Sequence, residues 1–435
     1  MFAKKMASIL AVAGLALVGC SSGTVTNEPT AKPEAPAASQ EPGGAGGDVG
    51  VFTWWADGSE KLGLQELENL FTEKYPNDKF VNLAVAGGAG SNAKAKLAAD
   101  LQNNNPPDSF QGHAGAELLD YIRKGQLEPV NDVIDALGGA TVFPQDLLDL
   151  LTVKGNIYSV PSNIHRGNVV WANKAVLEKA GVTAEPKDID AWLADMAKVK
   201  DSGVATPLSI AGTWTQVQLF ETILAADCGA DAYIGLFDGK TAWDDACVKT
   251  SIDHLTKLLA FANTPSDGDD WPGATDMVID GKAAYNVMGD WALAEFDTKE
   301  KVYGTDYVTF PTPGTQGTFD FLADSFTLPV GAKNPAGARD WLMLIGSAEG
   351  QKAFNLKKGS IPARTDVPAS EFPEYQQGAM ESFNKDKIVP SIAHGAAVNM
   401  AWTEGISTAI SKYMGDKNSD TLIKDLVAAA QANLA

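Results

Sequence analysis

The feature that most restricts the fold is an alternation of short apolar strands with amphipathic helices. A strand is expected at 50–55, and the helix after it carries an apolar stripe over 64–71. A second strand at 79–86 leads through a glycine-rich loop into a helix from about 92 to 103, and a short strand is expected at 109–111. This order predicts an α/β fold with a mostly parallel sheet.

The remainder of the chain continues this mixture of strands and helices. Short strands precede a helix that ends at Gly181, and helices dominate from 188 to 302. The stretch "DYVTFPTPGTQG" returns to strand and turn, and a helical tail closes the sequence. A length of 435 residues suggests more than one domain.

The first twenty residues have the character of an export signal. Lys4 and Lys5 precede an apolar run at 6–19, which is too short to span a bilayer and suits the core of a signal peptide. The run ends in "LVGC", which resembles the lipobox of bacterial lipoproteins, whose signal is cut before a cysteine that then carries lipid. We therefore expect a signal peptide at 1–19 and lipidation of Cys20, which anchors the chain to the membrane outside the cytoplasm. An ordinary signal peptide with a chance cysteine is the alternative.

Residues 20–49 are rich in Ser, Thr, Pro, Ala, Glu and Gly and contain no aromatic residue. Such a segment cannot bury enough apolar surface to offset the entropy of ordering it. We expect a flexible linker between the lipid anchor and the folded part.

The chain has a formal net charge of −21 at pH 7. Nucleic-acid binding needs clustered Lys and Arg, so nucleic acid is not expected as a partner. The simplest explanation of the acidic balance is solubility.

Two cysteines remain, Cys228 and Cys247. An exported chain can form disulfides, and the short separation makes a local bond between these two the expectation. Two buried free thiols are the alternative. No histidine or further cysteine lies nearby with ligand spacing, so a metal site is not expected there.

The stretch "GAGSNA" at 88–93 matches the G-x-G-x-x-A form of the dinucleotide-binding fingerprint. It follows a strand and opens a helix, and Asp108 lies about twenty residues further on. Nicotinamide cofactors are scarce outside the cytoplasm, so we expect no cofactor. A tight turn whose amides face a ligand cleft is the preferred interpretation.

The four histidines do not form a metal-binding motif. His113, His165 and His394 lie in loop-like stretches, which favours a role in binding, whereas His254 lies on a helix and is expected to pack or face solvent. No H-x-x-x-H or H-E-x-x-H pair is present, so zinc is not expected. The G-x-S-x-G motif of serine hydrolases is absent too. The sequence leaves open whether two carboxylates form a glycosidase pair, because it does not give the distance between them.

Ten tryptophans are present, and several lie beside polar residues, as in "TWWADGSE", "GTWTQ", "GDDWPGATD" and "MGDWALAE". Indole next to carboxylates and amides is typical of carbohydrate recognition. The C–H face of a pyranose stacks on an aromatic ring, while its hydroxyls need planar donors and acceptors. Neighbouring strand residues point to opposite faces. We therefore expect one of Trp54 and Trp55 to support the core and the other to face a sugar.

The chain resembles the extracellular solute-binding proteins of bacterial ABC sugar importers, and most closely their glucose/galactose-binding branch. The matching stretches run in order from about 54 to 397: "WWADGSEK", "VAGGAGSNAKAKL", "NNPPDSFQGHAG", "VPSNIHRGNVVWANK", "DMVIDGKAAYNVMGDWALAEF", "PTPGTQGTFDFLADSFTLP", "FNLKKGSIPARTD" and "IVPSIAHGA".

The resemblance implies a two-lobed periplasmic-binding-protein fold of type II, with the ligand in the cleft between the lobes. The first lobe would comprise 50–160 plus about 311–360. The second would comprise about 161–310 plus 361–435.

The resemblance also implies a set of sugar ligands: Trp54, Trp55, Glu60, Gln111, His113, Trp271, Trp291, Asp324, Lys358 and His394. Asn163, His165, Arg166 and Trp214 would be cleft neighbours. Asp324 and Lys358 are expected to pair with each other, and His113 and His394 to discriminate at the C4 hydroxyl of the sugar. The loop before Glu60 is a residue longer than in some relatives, which leaves Asp57 as the alternative to Glu60.

The implied function is a monomeric substrate-binding lipoprotein that delivers a monosaccharide, glucose or galactose, to the membrane permease of an ABC importer. No enzymatic activity is expected. Two alternatives stay open: an exported glycoside-processing enzyme that uses Glu60 or Asp324, and a sugar sensor that signals to a kinase or chemoreceptor.

Overall fold

A computed structural model of the chain describes residues 44–56, 58–86, 90–265 and 269–434. The predicted signal peptide, Cys20, most of the predicted linker, Asp57 and the first glycine of the "GAGSNA" motif lie outside these residues. No helix in the described part combines the length and apolar character that a membrane crossing requires.

Fifteen strands are found in the described residues. They are β1 (Gly47–Phe52), β2 (Asp78–Asn82), β3 (Ser109–His113), β4 (Leu127–Glu128), β5 (Thr152–Val153), β6 (Asn156–Ile157), β7 (Ser159–Pro161), β8 (His165–Arg166), β9 (Val169–Asn173), β10 (Leu208–Ser209), β11 (Tyr285–Val287), β12 (Tyr307–Pro311), β13 (Thr318–Leu322), β14 (Asp324–Pro329) and β15 (Lys387–Pro390).

Sixteen α-helices accompany them in the same part of the chain. They are α1 (Glu60–Lys74), α2 (Ser91–Gln102), α3 (Ala116–Arg123), α4 (Asn131–Leu137), α5 (Gln145–Leu150), α6 (Lys174–Ala180), α7 (Ile189–Asp201), α8 (Thr213–Asp238), α9 (Ala246–Leu259), α10 (Trp271–Ile279), α11 (Ala292–Thr298), α12 (Pro335–Gly346), α13 (Ala348–Lys358), α14 (Glu374–Lys385), α15 (Met400–Asp416) and α16 (Ser419–Asn433).

The first sheet has the strand order β2-β1-β3-β14-β4, and β7 also pairs with β14. β1 runs parallel to β2 and β3, as the strand–helix alternation predicts. β14 is antiparallel to β3, β4 and β7, so it runs against the other five strands of this sheet, which share one direction. The predicted α/β alternation with a mostly parallel sheet is therefore confirmed for strand direction in the first sheet, with β14 as the exception.

Two further sheets of three or more strands accompany the first, and β5 and β6 form a separate antiparallel pair. β10-β11-β9-β12 form the second sheet, in which only β10 and β11 are parallel. β15-β13-β8 form a small third sheet. The chain passes from the third sheet to the first at Ala323, which separates β13 from β14. It passes through all three sheets in the opposite direction along β7, β8 and β9.

Buried apolar side chains form two main cores and a smaller aromatic one. The first core draws on residues within 49–164 and 319–396, and the second on residues within 170–310 and 389–430. The third surrounds Trp171, Trp271 and Trp291. Ile361 and Ala363 also pack in the first core. The predicted lobe boundaries stay a prediction.

Local signals place the ends of α6 where the sequence predicts them. The side chain of Asn173 accepts a hydrogen bond from the N–H of Val176, which caps the start of the helix. Gly181 follows the last helical residue with φ of +71°, a conformation that glycine adopts without strain. The predicted helix end at Gly181 is confirmed.

The sulfur atoms of Cys228 and Cys247 are joined in the structure and link α8 to the start of α9, with Cα atoms 5.0 Å apart. We predict that neither cysteine reacts with an alkylating reagent in the denatured, unreduced protein, and that both react after reduction. Peptide mass mapping measures this directly. Alkylation of either residue before reduction would show free thiols instead.

Candidate functional site

A cleft between the first core and the two others collects most of the predicted ligand residues. It encloses about 460 Å³, including its open mouth. Nine of the ten predicted ligand residues line it: Trp54, Trp55, Glu60, His113, Trp271, Trp291, Asp324, Lys358 and His394. Gly90, His165, Trp214, Asp270 and Leu322 complete the lining.

The two adjacent tryptophans follow β1 and have different surroundings. Trp55 is fully buried and packs against Phe354 and Phe326, with ring centroids 4.5 and 5.4 Å away. Trp54 is 8% exposed, and its ring lies 4.9 Å from the ring of His113. Trp55 therefore belongs mainly to the core, whereas Trp54 covers one end of the cleft.

Gly90 explains why the "GAGSNA" motif needs glycine at its third position. Its φ is +86°, and a Cβ there would lie 2.8 Å from the ring of Trp54. A larger residue would displace the indole from the cleft. Gly90 therefore supports an aromatic wall, and the motif's first glycine lies outside the described residues.

Asp324 lies where the chain passes from β13 to β14, and its carboxylate is enclosed by side-chain amides. Nε2 of Gln111 donates to Oδ1 at 2.8 Å, and Nδ2 of Asn163 donates to Oδ2 at 3.2 Å. The N–H of Asp324 donates to Oδ1 of Asn163 at 3.1 Å. These bonds fix the orientation of the carboxylate at the base of the cleft.

Positive groups surround the same carboxylate. Burial alone would raise the pKa of Asp324, but the hydrogen bond and charge of His165, the charge of His113 and that of Lys358 hold it well below its usual range. Nε2 of His165 lies 3.3 Å from Oδ2 of Asp324, and Nε2 of His113 lies 3.6 Å from Oδ1. Asp324 is therefore ionised and presents acceptors only.

Gln111 does not line the cleft, although the resemblance places it among the ligands. Its Oε1 accepts hydrogen bonds from the hydroxyl of Thr53 and from the N–H of Trp54, and its Nε2 is committed to Asp324. Gln111 lies on β3, in the middle of the first sheet. Its side chain therefore links the end of β1 to Asp324 through hydrogen bonds.

Asp290 is a component that the sequence analysis missed. It is fully buried, its carboxylate bonds Nδ1 of His165, and it accepts a hydrogen bond from the N–H of Arg166. Burial works against the charged imidazole, yet Asp290 raises the pKa of His165 above its ordinary value. In the sequence, Asp290 stands directly before the predicted ligand Trp291, and this position pointed to a place beside the cleft. A buried aspartate needs a hydrogen-bond partner, which here is His165.

Lys358 pairs with Glu60, and the predicted ion pair between Asp324 and Lys358 is not formed. Nζ of Lys358 donates to Oε1 of Glu60, and the lysine side chain is 2% exposed. Its Nζ lies 5.6 Å from the ring centroid of Trp291. Glu60, the first residue of α1, reaches Lys358 at the end of α13 because these two helices pack together. The partners of Asp324 are instead the side-chain amides of Gln111 and Asn163 and two histidines.

A second buried ion pair supports His113 and was also missed. Glu117 on α3 binds Nδ1 of His113 at 2.8 Å and Nζ of Lys94 at 2.9 Å. Burial would raise the pKa of Glu117, but Lys94 and His113 lower it to about 2. The spacing of His113 and Glu117 in "HAGAE" was the signal, since residues four apart meet where a helix begins.

The opposite wall is aromatic. Trp214 lies in the first turn of α8, Trp271 begins α10, and Trp291 precedes α11. The rings of Trp291 and His394 lie 5.1 Å apart, and that of Trp214 lies 5.7 Å from His394. Two of these indoles, Trp214 and Trp291, thus lie beside the imidazole of His394, and Trp271 completes the aromatic wall.

Two of the four predicted cleft neighbours do not line the cleft. Asn163 lies behind Asp324, and Arg166 bonds Asn168 and the carbonyl of Thr318. The other two, His165 and Trp214, are lining residues, and Asp270 is an additional one.

The arrangement is suited to holding a small, neutral, polyhydroxylated ligand. An ionised carboxylate, an ion pair and three imidazoles supply directional hydrogen bonds, and the indoles supply flat apolar walls. No group of three or more His, Cys, Asp or Glu in the described residues has the geometry to hold a metal ion.

The fold and cleft define a binding protein with two lobes and a ligand site between them. The model of the bacterial extracellular solute-binding proteins matches residues 54–352. The chain belongs to this family, and within it to the sugar-binding substrate-binding proteins of ABC transporters.

Three similar proteins illustrate the relationship. The uncharacterized ABC transporter extracellular-binding protein PH1214 of Pyrococcus horikoshii is 33% identical over 438 residues, which cover 99% of this chain and 97% of that protein. The xylose/arabinose-binding protein XacG of Haloferax volcanii is 30% identical over 389 residues, covering 87% and 83%. The solved bacterial solute receptor AcbH, described as exclusive for β-D-galactopyranose, superposes with a TM-score of 0.77 at 21% identity, covering 88% of this chain and 98% of AcbH. The likeness to AcbH shows the two-lobed fold.

Proposed function

We propose that the cleft binds one aldopyranose, glucose or galactose, and that the chain delivers it to the permease of an ABC importer. One observation carries this proposal. Indole walls and charged hydrogen-bonding groups from distant parts of the sequence meet in a single buried cleft, as the positions of Trp54, Trp291, Asp324, Lys358 and His394 show.

The polar lining matches what sugar hydroxyls require. Each hydroxyl donates one hydrogen bond and accepts others, and Asp324 and Glu60 offer acceptors while Lys358 offers donors. Trp55 and Trp214 line the cleft, and their Nε1 groups have no acceptor among the described residues. These indole N–H groups can donate to ligand oxygens.

A single ring can bind tightly only when nearly every hydroxyl is paired. A dissociation constant of about 1 µM corresponds to about −8.2 kcal/mol. An aldohexose has about twelve heavy atoms, so each would contribute roughly 0.7 kcal/mol, below the ceiling of ~1.5 kcal/mol for very small ligands. Such pairing needs groups from both sides of the cleft, so the sugar favours the closed state.

A pentose is the competing ligand, because XacG, at 30% identity, is named for xylose and arabinose. A thermal-shift panel of aldohexoses, aldopentoses and disaccharides tests the proposal. Ligands that bind only the folded protein raise the melting temperature. We expect the largest shift with glucose or galactose. A larger shift with a pentose would change the assigned ligand from an aldohexose to an aldopentose. An unchanged melting temperature with every sugar would refute the proposal.

A glycoside-processing activity is less consistent with the cleft than binding is. Such enzymes need a carboxylic acid that stays protonated near neutral pH. The surroundings of Asp324 lower its pKa instead, and Glu60 is paired with Lys358. Turnover of an aryl glycoside by the purified protein would favour the enzyme.

We predict that Trp291→Ala weakens sugar binding more than tenfold. Its indole, 5% exposed, contacts both His165 and His394, so the substitution removes a wall and loosens two rings. Calorimetric titration measures the change. Trp243→Ala is the matched control, because Trp243 is also buried but packs in the second core away from the cleft. A loss of twofold or less in Trp291→Ala would assign this residue to packing.

We further propose that the chain is anchored to the membrane by lipid on Cys20, which the "LVGC" run before it supports. Cys20→Ala should then leave the protein uncleaved at this site and free of lipid. Mass spectrometry of the N-terminal peptide and detergent partitioning measure both effects. Wild-type protein without an acyl mass at Cys20 would favour an ordinary signal peptide.

A further inference from the structure

The turn that presents His394 to the cleft is held by a buried carboxylate, Glu221 on α8. Oε2 of Glu221 accepts hydrogen bonds from the N–H groups of Ile392 at 2.6 Å and Ala393 at 2.8 Å. Its Oε1 accepts from the hydroxyl of Ser391 at 2.9 Å. The same hydroxyl oxygen lies 3.0 Å from Nδ1 of His394. A chain of hydrogen bonds therefore runs from Glu221 to the imidazole in the cleft.

The hydroxyl of Ser391 can donate only one proton, so its direction determines the histidine tautomer. If Ser391 donates to Glu221, Nδ1 of His394 must carry a proton and donate to Ser391. If Ser391 donates to Nδ1, Glu221 must carry the proton that is shared with Ser391. The two cases leave Nε2 of His394 as an acceptor or as a donor, respectively.

A second carboxyl, that of Asp320 on β13, decides between these cases. It is 1% exposed, interacts with Glu221, and neither of its oxygens has a donor among the described residues. A proton on Asp320 leaves Glu221 as the ionised acceptor of the two turn N–H groups and of the Ser391 hydroxyl. A proton that Glu221 donates to Ser391 would instead leave Asp320 as a buried carboxylate without a donor, which is costly.

The other ionisable groups near this pair act in both directions, and the balance keeps the proton on Asp320. Arg166 faces Asp320 and favours its charged form, but burial and Glu221 raise the pKa of Asp320 well above its usual range. Burial raises the pKa of Glu221 to about 7 against the hydrogen bonds from the turn. Tyr233 also faces the pair, and its hydroxyl donates to the carbonyl of Pro390.

We propose that Asp320, Glu221 and Ser391 are positioning residues that fix His394 in the tautomer with the proton on Nδ1. Nε2 then presents a lone pair to the cleft and selects a ligand group that donates a hydrogen bond. Nε2 of His394 has no protein partner in the described part of the chain, so it is available to a ligand. Only the last step, that the ligand group is a sugar hydroxyl, rests on the proposed function.

The ring of His394 is neutral, which makes its tautomer a defined property. Burial and the nearby His113, Lys94 and His165 hold the pKa of His394 well below its usual value. In a neutral imidazole one nitrogen is a donor and the other an acceptor.

Nitrogen-15 NMR of the histidine-labelled, sugar-free protein measures the tautomer, because protonated and unprotonated ring nitrogens have well-separated shifts. The chain has four histidines, and the signals lost in His394→Gln identify the relevant ring. We expect a protonated Nδ1 and an unprotonated Nε2. Protonation on Nε2, or averaged shifts that show comparable populations, would overturn the proposal.

Two conservative variants separate positioning from simple structural support. Glu221→Gln places an amide where the carboxylate was, which can donate to Ser391 and should move the proton of His394 to Nε2. Asp320→Asn is neutral, like the protonated acid it replaces, and should leave the wild-type tautomer. An unchanged tautomer in Glu221→Gln, or an inverted one in Asp320→Asn, would contradict the relay. If Glu221→Gln does not fold, the tautomers measured in the wild type and in Asp320→Asn still test the proposal.

A second measurement connects the tautomer to the ligand. Fluorine cannot donate a hydrogen bond, so the deoxyfluoro analogue at the hydroxyl facing Nε2 should bind wild type about tenfold or more weakly than the parent sugar. Glu221→Gln should reduce this penalty at the same position. A penalty that is equal in the two proteins at every position would overturn the selection step. Loss of all sugar binding, with the expected tautomer, would refute the proposed function instead.

Discussion

Asp324→Asn should reduce sugar affinity at least about a hundredfold while the protein stays folded. The substitution keeps the shape of the side chain but replaces an ionised acceptor with a neutral amide. Hydrogen bonds to charged groups contribute roughly 1.5–3 kcal/mol each, so losing two is worth about 3 kcal/mol or more. The new amide would also face the donors of Gln111 and Asn163. Calorimetric titration with the tightest sugar measures the loss.

Asp340→Asn is the matched control for that variant. Asp340 is also a buried aspartate, on α12, but it does not line the cleft and it accepts the N–H of Ala45. We expect its affinity for sugar to equal that of wild type. Affinity within threefold of wild type in Asp324→Asn would remove Asp324 from the ligand set.

Trp55→Ala should lower the free energy of unfolding by about 3–5 kcal/mol, the cost of truncating a large buried aromatic side chain. Its ring is fully buried and packs against Phe326 and Phe354 at the centre of the first core. Urea unfolding followed by circular dichroism measures the change.

Trp54→Ala provides the comparison, because the two residues are adjacent and identical. Trp54 borders the cleft and packs against His113, so we expect a smaller loss of stability and a larger loss of sugar affinity than for Trp55. Equal stability losses in the two variants would show that the neighbouring indoles do not divide core and cleft between them.

The sequence predicted the position of cleft residues better than their partners. Trp54, His113 and Trp291 stand in polar, turn-like stretches next to strand or helix ends, and such local signals are readable without a fold. The parallel pairing of β1 with β2 and β3 follows from the same local alternation.

Pairings between distant residues were not predictable, because they depend on how separate elements pack. Lys358 binds Glu60, 298 residues away in sequence, rather than the expected Asp324. β14 runs antiparallel to β3, from which it is more than 200 residues away in sequence, and no local pattern reveals this pairing. Glu221 lies on α8 and Asp320 on β13, and only the fold brings these two elements together.

A crystal structure of the protein grown with its tightest-binding aldose tests the central claim most directly. We predict one sugar ring in the cleft, stacked on an indole, with Asp324, Lys358 and His394 within hydrogen-bond distance of its hydroxyls. Sugar bound elsewhere on the protein, or an empty cleft at a saturating sugar concentration, would contradict the account.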